Sequence, residues 1–453
     1  MATDTELELK QDKELSQEFD LWTIFKFAFP SIFTFVFIAA YQMVDGVFIG
    51  KFVGEMAISA TNLFYPILGL LVATGIMLGT GGNAMIVKYV GEGNRKKAGQ
   101  VFSELLIFTV VISVAVTVIC LVFADPIMSV CGATEETVEY LRPYYMVMCA
   151  FSLAIIMQSM LGILIIGEGK TVVAAVVIMV GGTLNCVLDY LFMKVFGMGI
   201  KGAAVATVIG YASTIVYAVY FYLIARKSSY NVELTKIDLK EIGKICFNGS
   251  SDMASNLASG VTALFMNHLV FKCYGSVGVS ALSVWSYVQF MIMAVFMGYA
   301  TAVEPVISYH YGSGNIMMRK KVFRLSIAWS VILGAVIFVL LYVFRAQVIG
   351  VFYDKGTEFF DIAQYGLVVS LAASLAVGIN IFVSGMFTAF SNGGVSFALS
   401  MIRSFAVLTV CLYGLTALWG GTGLWLAWPV AEFISLIPTF IAVAHYRKRY
   451  QYM

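Results

Sequence analysis

Long apolar runs recur along this chain and decide which folds are open to it. About twelve runs, each long enough for a membrane helix of roughly 20 residues, are separated by short charged or turn-rich segments. Barrel strands need only about ten residues, so these runs predict helices. Hydrophobic residues make up 60% of the chain and charged residues only 12%, which excludes a soluble enzyme. The predicted spans are residues 22–49, 59–87, 101–123, 140–166, 171–193, 202–225, 245–271, 279–310, 322–343, 362–389, 395–418 and 422–444.

The basic residues predict the orientation of these spans. Lys and Arg concentrate in alternate connections and in the segment 447–453, and positive charge favours the cytoplasmic side. The sequence therefore predicts that both termini are cytoplasmic, with residues 1–20 as a tail that lacks the pattern of a signal peptide. A net charge of +2 gives no reason to expect a nucleic-acid partner. The inward connections carry Lys88, Arg95, Lys96, Lys97, Lys170, Arg226, Lys227, Lys236, Lys240, Lys244, Arg319, Lys320 and Lys321.

The two halves of the chain are related by an internal duplication. Matching residues are separated by 221 positions without a gap, and each repeat holds about six spans. An even number of spans places both repeats in the same orientation, related by an axis along the membrane normal. We therefore predict an N-lobe of residues 21–225, a cytoplasmic linker of 226–244 and a C-lobe of 245–446. The glycines of the repeat are Gly54 and Gly275, Gly91 and Gly312, Gly93 and Gly314, Gly199 and Gly420, and Gly202 and Gly423.

Three polar residues interrupt the apolar runs of the N-lobe: Asp45, Asn185 and Asp189. A buried aspartate costs roughly 2.5 to 3.5 kcal/mol on membrane-insertion scales, so each needs water, a partner, a proton or a bound cation. Asn185 and Asp189 are four residues apart and share one helix face. This pattern indicates an ion-coupled transporter, although the two side chains could also serve only as hydrogen-bonding groups between helices.

Several motifs resemble the multidrug and toxic compound extrusion (MATE) family, especially its MepA-like and archaeal-type members. They are Pro30, Asp45 within VDGVFIGKFVG, the GxGN turn at Gly91, LNCVLD ending at Asp189, and GIKGAAVAT ending at Thr207. The resemblance covers residues 20–445 and implies two six-helix lobes around a central cavity. It also implies export of amphipathic, often cationic compounds, driven by inward movement of H⁺ or Na⁺ and without a cofactor.

The same resemblance implies a cation site in the N-lobe formed by Asp45, Asn185, Asp189, Thr207 and the Ala203 carbonyl. Ala203 and Thr207 repeat the four-residue spacing, so two helices can present oxygens to one point. Carboxylate, amide, hydroxyl and carbonyl oxygens suit a small hard cation, and Na⁺ could bind at Asp45, Asn185, Asp189 and Thr207. The same acids could instead hold a proton, so the coupling ion stays open between H⁺ and Na⁺.

The C-lobe offers a different set of polar residues. Asp252, Ser255, Asn256 and Ser259 form a stripe on one helix face, which could line a substrate cavity or form a seam between packed helices. Glu304 precedes Pro305 inside the eighth span, where it could meet a cationic substrate or only accompany a kink.

The C-lobe departs from the N-lobe at two further points. The duplicate position of Asp45 is Met266, and the tenth span offers Asn380 where sodium-coupled members of the family have an aspartate, so a second ion site is not indicated. Arg403 and Glu432 are predicted to pair and to hold the last two spans together.

Methionine side chains adapt their shape and aromatic faces attract positive charge, so both would suit a cavity that binds varied flat cations. Membrane lipid and small amphipathic substrates are the expected partners of a protein that functions as a monomer in a prokaryotic cell membrane. A flippase of a lipid-linked precursor is the main alternative, but it would need a more basic cavity for diphosphate. A membrane enzyme would need a nucleophile, metal or paired-acid motif, and the sequence shows none. The candidates for lining the cavity are Tyr41, Phe64, Tyr65, Trp285, Tyr287, Phe290 and Met291.

Overall fold

The computed structural model describes residues 13–225, 228, 230–233 and 237–453, and this part of the chain is helical throughout and contains no strand. Most of the predicted N-terminal tail, together with Arg226, Lys227 and Lys236 of the predicted linker, lies outside the described residues. The principal helices are α1 Leu21–Phe52, α2 Glu55–Gly91, α3 Arg95–Val122, α4 Glu135–Ala150, α5 Ser152–Gly167, α6 Thr171–Asp189, α7 Ile200–Val219, α8 Leu239–Gly312, α9 Ile316–Val343, α10 Glu358–Ser370, α11 Ser374–Ala389, α12 Gly393–Met401 and α13 Leu408–Tyr450.

These helices provide the twelve spans that the sequence predicts. Within the described residues, nine helical stretches are long and apolar enough to cross a membrane, and the bent pair α4 and α5 forms a tenth. The 74 residues of α8 would extend roughly 110 Å, far more than one bilayer crossing requires. Gly275 breaks α8 and Gly420 breaks α13, because both have non-helical backbone angles. Two spans therefore lie in α8, and two more lie in the stretch Gly393–Tyr450, which includes α12 and α13.

The fourth span differs from its prediction, because residues 140–166 are not one straight helix. The axes of α4 and α5 differ by 56° at the break around Phe151. The Thr117 hydroxyl of α3 bonds to the Cys149 carbonyl at 3.1 Å and to the Ser152 hydroxyl at 2.6 Å. These side-chain bonds supply partners where the helical ladder is interrupted, which allows the bend.

The duplicated glycines occupy equivalent turns in the two lobes. Gly199 and Gly420 have φ values of 58° and 56°, and Gly54 and Gly275 have 121° and 63°. Residues other than glycine rarely adopt a positive φ. The repeat that the sequence shows therefore records where the chain reverses between successive spans.

Alanine at Gly275 should lower the free energy of unfolding by about 1–3 kcal/mol, because its φ of 63° and ψ of −153° strain any residue with a Cβ. Gly243→Ala, in the same helix and with open space around the added methyl, is the matched control and should be neutral or slightly stabilising. Thermal unfolding in detergent would measure both. Equal melting temperatures for the two variants would contradict this account of the turn.

The connection between the lobes is held against the N-lobe. The Glu233 amide donates to Ser103 Oγ at 2.9 Å, and the Asp238 amide donates to Glu104 Oε2 at 3.3 Å. Lys97 forms an ion pair with Glu241 in the first turn of α8. Because α8 begins at Leu239, residues 239–244 of the predicted linker are helical, and at the other end of the C-lobe α13 extends to Tyr450.

The two lobes are tightly packed at the end of the bundle that carries Lys13, Glu241 and Tyr450, here called the terminal face. A Cβ added at Gly91 would lie 2.2 Å from the Tyr309 carbonyl oxygen, and one at Gly312 would lie 2.1 Å from that of Lys88. These reciprocal contacts join α2 to the second span of α8. The lobes are therefore in direct backbone contact at the terminal face.

The segment before α1 reinforces this closure. Leu15 and Phe19 are buried in a core formed mainly by C-lobe residues such as Val303 and Val306. Glu14 of the same segment bonds to Lys170, between α5 and α6 of the N-lobe, at 2.8 Å. The N-terminal segment thus contacts both lobes.

Candidate functional site

Three helices of the N-lobe bring the predicted cation-site residues together. The carboxyl groups of Asp45 on α1 and Asp189 on α6 lie close enough to act on each other electrostatically. Asn185 Nδ2 donates to Thr207 Oγ1 on α7 at 3.3 Å, and Thr207 Oγ1 donates to the Ala203 carbonyl at 3.0 Å. Hydrogen bonds therefore link Asn185, Thr207 and Ala203, and the two carboxyl groups lie beside them.

This group contains unused acceptors. Asp189 is fully buried, and both of its carboxylate oxygens lack a partner among the described residues, as does Oδ1 of Asp45. Unpaired carboxylates at membrane depth are costly, and two of them in contact repel each other. A proton shared by the pair, or a small cation between the oxygens, would remove this cost. The residues present therefore fit either coupling ion.

Small residues allow the three helices to approach. A Cβ at Gly181 would lie 2.8 Å from the Gly210 carbonyl oxygen, so α6 and α7 cross closely one turn before Asn185. Gly182 faces α1, where a Cβ would lie 2.7 Å from Phe37 and 3.0 Å from Tyr41. A wide π-helical turn, Tyr190–Val195, follows Asp189 directly. Such turns are frequent at functional sites.

An N-lobe cavity opens beside Asp45. Tyr41, Phe64 and Tyr65 line it together with Asn185 and Thr207. This cavity is also lined by three residues that were not predicted from the sequence: Thr61, Tyr144 and Tyr211. Of these, only Tyr211 carried a usable signal, because it lies four residues after Thr207 on the same helix face.

The predicted substrate residues of the C-lobe share a second cavity, of about 590 Å³ including space open to solvent. Asp252, Ser255, Asn256, Ser259 and Glu304 all line it. The stripe therefore faces a cavity as well as packed helices, and Ser259 Oγ still donates to the Ser255 carbonyl at 2.8 Å.

The two acids of this cavity, Asp252 and Glu304, lie against different helices. Asp252 lies near the Thr80 hydroxyl of α2 and so borders the N-lobe. Glu304 packs against α11, where a Cβ at Gly385 would lie 2.1 Å from Glu304 Oε1. The N-lobe cavity and this cavity have no lining residue in common. The structure thus gathers the candidate residues into two separate sites, one in each lobe.

A third cavity, of about 1130 Å³ including open space, adjoins the second. Trp285 and Phe290 line it, whereas Tyr287 stacks on Phe352 with ring centroids 5.9 Å apart and Met291 lines neither C-lobe cavity. The residues common to both C-lobe cavities are Asn256, Ser259, Met293, Met297 and Arg403. Met293 and Met297 gave no distinguishing sequence signal, because methionines are abundant throughout the chain.

The predicted pair of Arg403 and Glu432 is confirmed, with Nη1 3.1 Å from Oε1. Asn380 Nδ2 donates to Glu432 Oε2 at 2.8 Å, and Thr439 Oγ1 donates to Asn380 Oδ1 at 2.9 Å. The tenth span has no aspartate at Asn380, but Asn380 contacts the Glu432 carboxylate of α13. Arg403 was predicted to have a structural role, yet its side chain also lines both C-lobe cavities.

Comparison with known proteins agrees with this architecture. The family model MatE matches twice, over residues 30–191 and 253–413. The multidrug export protein MepA of Staphylococcus saprophyticus is 25% identical over 441 residues, covering 95% of this chain and 96% of that protein. MepA of Staphylococcus haemolyticus is 26% identical over 442 residues, with coverage of 95% and 96%.

Solved structures show the same fold. A multidrug resistance MATE family transporter of the MOP superfamily, in an outward-facing conformation, aligns with a TM-score of 0.91 at 22% identity, covering 98% of this chain and 99% of that one. A MOP superfamily transporter from Pyrococcus furiosus aligns with a TM-score of 0.89 at 21% identity, covering 96% and 97%. Because the family model matches both lobes and most of the chain, this protein belongs to the MatE family of membrane transporters and is a secondary transporter, not an enzyme.

Proposed function

We propose that the protein is an antiporter that couples inward movement of H⁺ or Na⁺ to export of amphipathic, cationic compounds. The observation that supports this most directly is a pair of neighbouring carboxyl groups, those of Asp45 and Asp189, that have three buried oxygens without a hydrogen-bond partner among the described residues. Among the described residues, no basic side chain acts on either carboxyl group. A proton or a small cation that enters and leaves the site would compensate their negative charge.

The geometry suggests how cation binding changes the N-lobe. Asp45 is carried by α1 and Asp189 by α6, so a cation or proton between them draws the two helices together. Departure of the cation leaves two like charges close together and favours separation of the helices. Asn185 and Thr207 orient the polar groups beside the acids. The occupied and empty states of the cation site therefore differ in how α1 packs. Coupling needs such a difference, because an ion shifts a conformational equilibrium only if it binds the two conformations unequally.

The C-lobe cavity supports a cationic cargo. Asp252 and Glu304 line its polar end, and Met293, Met297 and Trp285 offer adaptable and aromatic surface. The relatives from Staphylococcus are named multidrug export proteins, which agrees with varied small substrates. Export of a lipid-linked diphosphate is disfavoured, because three acids and one arginine line the joined C-lobe cavities.

Closure at the terminal face suggests the conformation and the orientation. The similar MATE structure is described as outward-facing, and the lobes of this chain touch at the terminal face, which is the side that positive charge predicts to be cytoplasmic. We infer an outward-facing conformation with both termini in the cytoplasm. Both candidate sites lie within one chain, so a monomer in the cell membrane suffices for transport, with lipid as its surrounding partner.

Proteoliposomes loaded with a fluorescent cationic dye would test the proposal, with proton and sodium gradients imposed separately. Dye export that follows one gradient would establish antiport and identify the ion. Export that ignores both gradients, after protein orientation is verified, would overturn the coupling assignment. A sidedness assay with a membrane-impermeant thiol reagent, on cysteines introduced at Lys96 and Tyr365, would test the orientation in the same vesicles.

A further inference from the structure

The two C-lobe cavities form one continuous space whose charge changes along its length. Asp252 and Glu304 lie at one end, and Trp285, Phe290 and Trp428 lie at the other. Arg403 lies between them and lines both parts. The charge of Arg403 acts on Asp252 as well as on Glu432. A purely cationic cargo would gain nothing further from this guanidinium, whereas a cargo that also carries a carboxylate would.

The Arg403 side chain lines the cavity, and its partner Glu432 also bonds to Asn380. Glu432 is 4% exposed and Arg403 is 11% exposed, and Asn380 fixes the second Glu432 oxygen at 2.8 Å. A guanidinium has five N–H donors, and only one of those of Arg403 bonds to an acceptor in the part of the chain that the structure describes. The remaining donors are available to a ligand in the cavity.

The local backbone is unusual at the same place. Arg403 lies in a π-helical turn, Ile402–Val407, which interrupts the passage from α12 to α13. A π turn widens the helix and alters the direction in which its side chains project. In the N-lobe, the comparable turn follows Asp189. Both lobes therefore have a widened helix beside their charged residues.

We propose that Arg403 is a substrate-binding residue of the C-lobe cavity, where its guanidinium recognises the carboxylate of an amphipathic substrate. The amine end of such a molecule would meet Asp252 and Glu304, its carboxylate would bond to the free donors of Arg403, and its apolar body would lie on Met293 and Met297. Arginine suits this role because its planar fork matches a carboxylate in two parallel bonds. Glu432 keeps the charge of Arg403 compensated when no such substrate is bound. The assignment rests on the proposed export function only in treating this cavity as part of the transport path.

Two rhodamine dyes with the same ring system test the assignment directly. Rhodamine 110 carries a free carboxylate, and rhodamine 123 is its methyl ester. We expect the purified full-length protein in lipid nanodiscs to bind both, as measured by fluorescence anisotropy. The double variant Arg403→Gln/Glu432→Gln removes the pair without leaving a buried charge, and it should weaken rhodamine 110 binding by about tenfold or more. Rhodamine 123 affinity should change less than about twofold, because its ester offers no negative charge.

The ester dye also shows that the cavity of the variant is intact. Arg403→Lys should recover part of the rhodamine 110 affinity, since it keeps the charge but loses the fork. Equal weakening of both dyes would assign Arg403 a purely structural role, and failure of the wild type to bind rhodamine 110 would also overturn the proposal. Because binding needs no ion gradient, this result is independent of the efflux experiment. A protein that shows the expected binding but no gradient-driven export would keep Arg403 as a carboxylate site and lose the antiport assignment.

Discussion

Replacing Asp45 with asparagine should reduce gradient-driven export by roughly 10- to 150-fold, because an interaction with a charged group is worth about 1.5–3 kcal/mol. The amide keeps the shape of the side chain but can neither accept a proton nor supply a negative charge. The facing Asp189 would then hold the only carboxylate of the group. Initial rates of dye export from proteoliposomes would measure the loss, and dye binding to the C-lobe cavity should persist because that cavity shares no residue with this site.

The two aspartates should act as a unit. Asp189→Asn should cause a loss similar to that of Asp45→Asn, and the double variant should be little worse than either, as expected for residues that serve one step together. Asp125→Asn is the matched control, because Asp125 is an exposed acid paired with Arg142 outside the long spans. Export at the wild-type rate by either single variant would remove that residue from the coupling site.

Alanine at Gly312 should shift the protein towards a conformation that is open at the terminal face. The added Cβ would lie 2.1 Å from the Lys88 carbonyl oxygen, and a backbone atom cannot rotate away as a side chain can. Overpacking of this kind costs about 1–3 kcal/mol, which changes the ratio of closed to open molecules by roughly 5- to 150-fold. Separation of the lobes relieves the overlap, so the cost falls on the closed state alone.

Electron–electron double resonance would measure this shift. Spin labels at Lys96→Cys on α3 and Met317→Cys on α9 would report the distance between the lobes, because both residues are exposed near the terminal face. The labels require a background in which the seven native cysteines are replaced. Gly243→Ala is again the control, since its methyl meets open space. Identical distance distributions for the two alanine variants would show that the Gly312 contact does not hold the lobes together.

Sequence patterns predicted the features that depend on local chemistry. Hydrophobic length identified the spans, since each must cover the bilayer core with hydrogen-bonded backbone. The repeated glycines located the turns, because the positive φ at Gly199 and Gly420 restricts these positions to glycine. The spacing of Asn185 and Asp189 placed both on one face of α6, because helical geometry is the same wherever a helix forms. The bend between α4 and α5 escaped prediction because it depends on Thr117, which lies on another helix.

The sequence by itself determined that this chain is a duplicated bundle of twelve spans with acids at membrane depth. Only the tertiary structure decided which polar groups meet. The proximity of Asp45 to Asp189, the approach of Asp252 to Thr80, and the exposure of Arg403 to both C-lobe cavities each bring together residues from different helices. Residue type and spacing fix the face of one helix, but the rotation and separation of two helices follow from the side chains packed between them. Small residues such as Gly181 and Gly210 set that separation here, and so they decide which charges share a site.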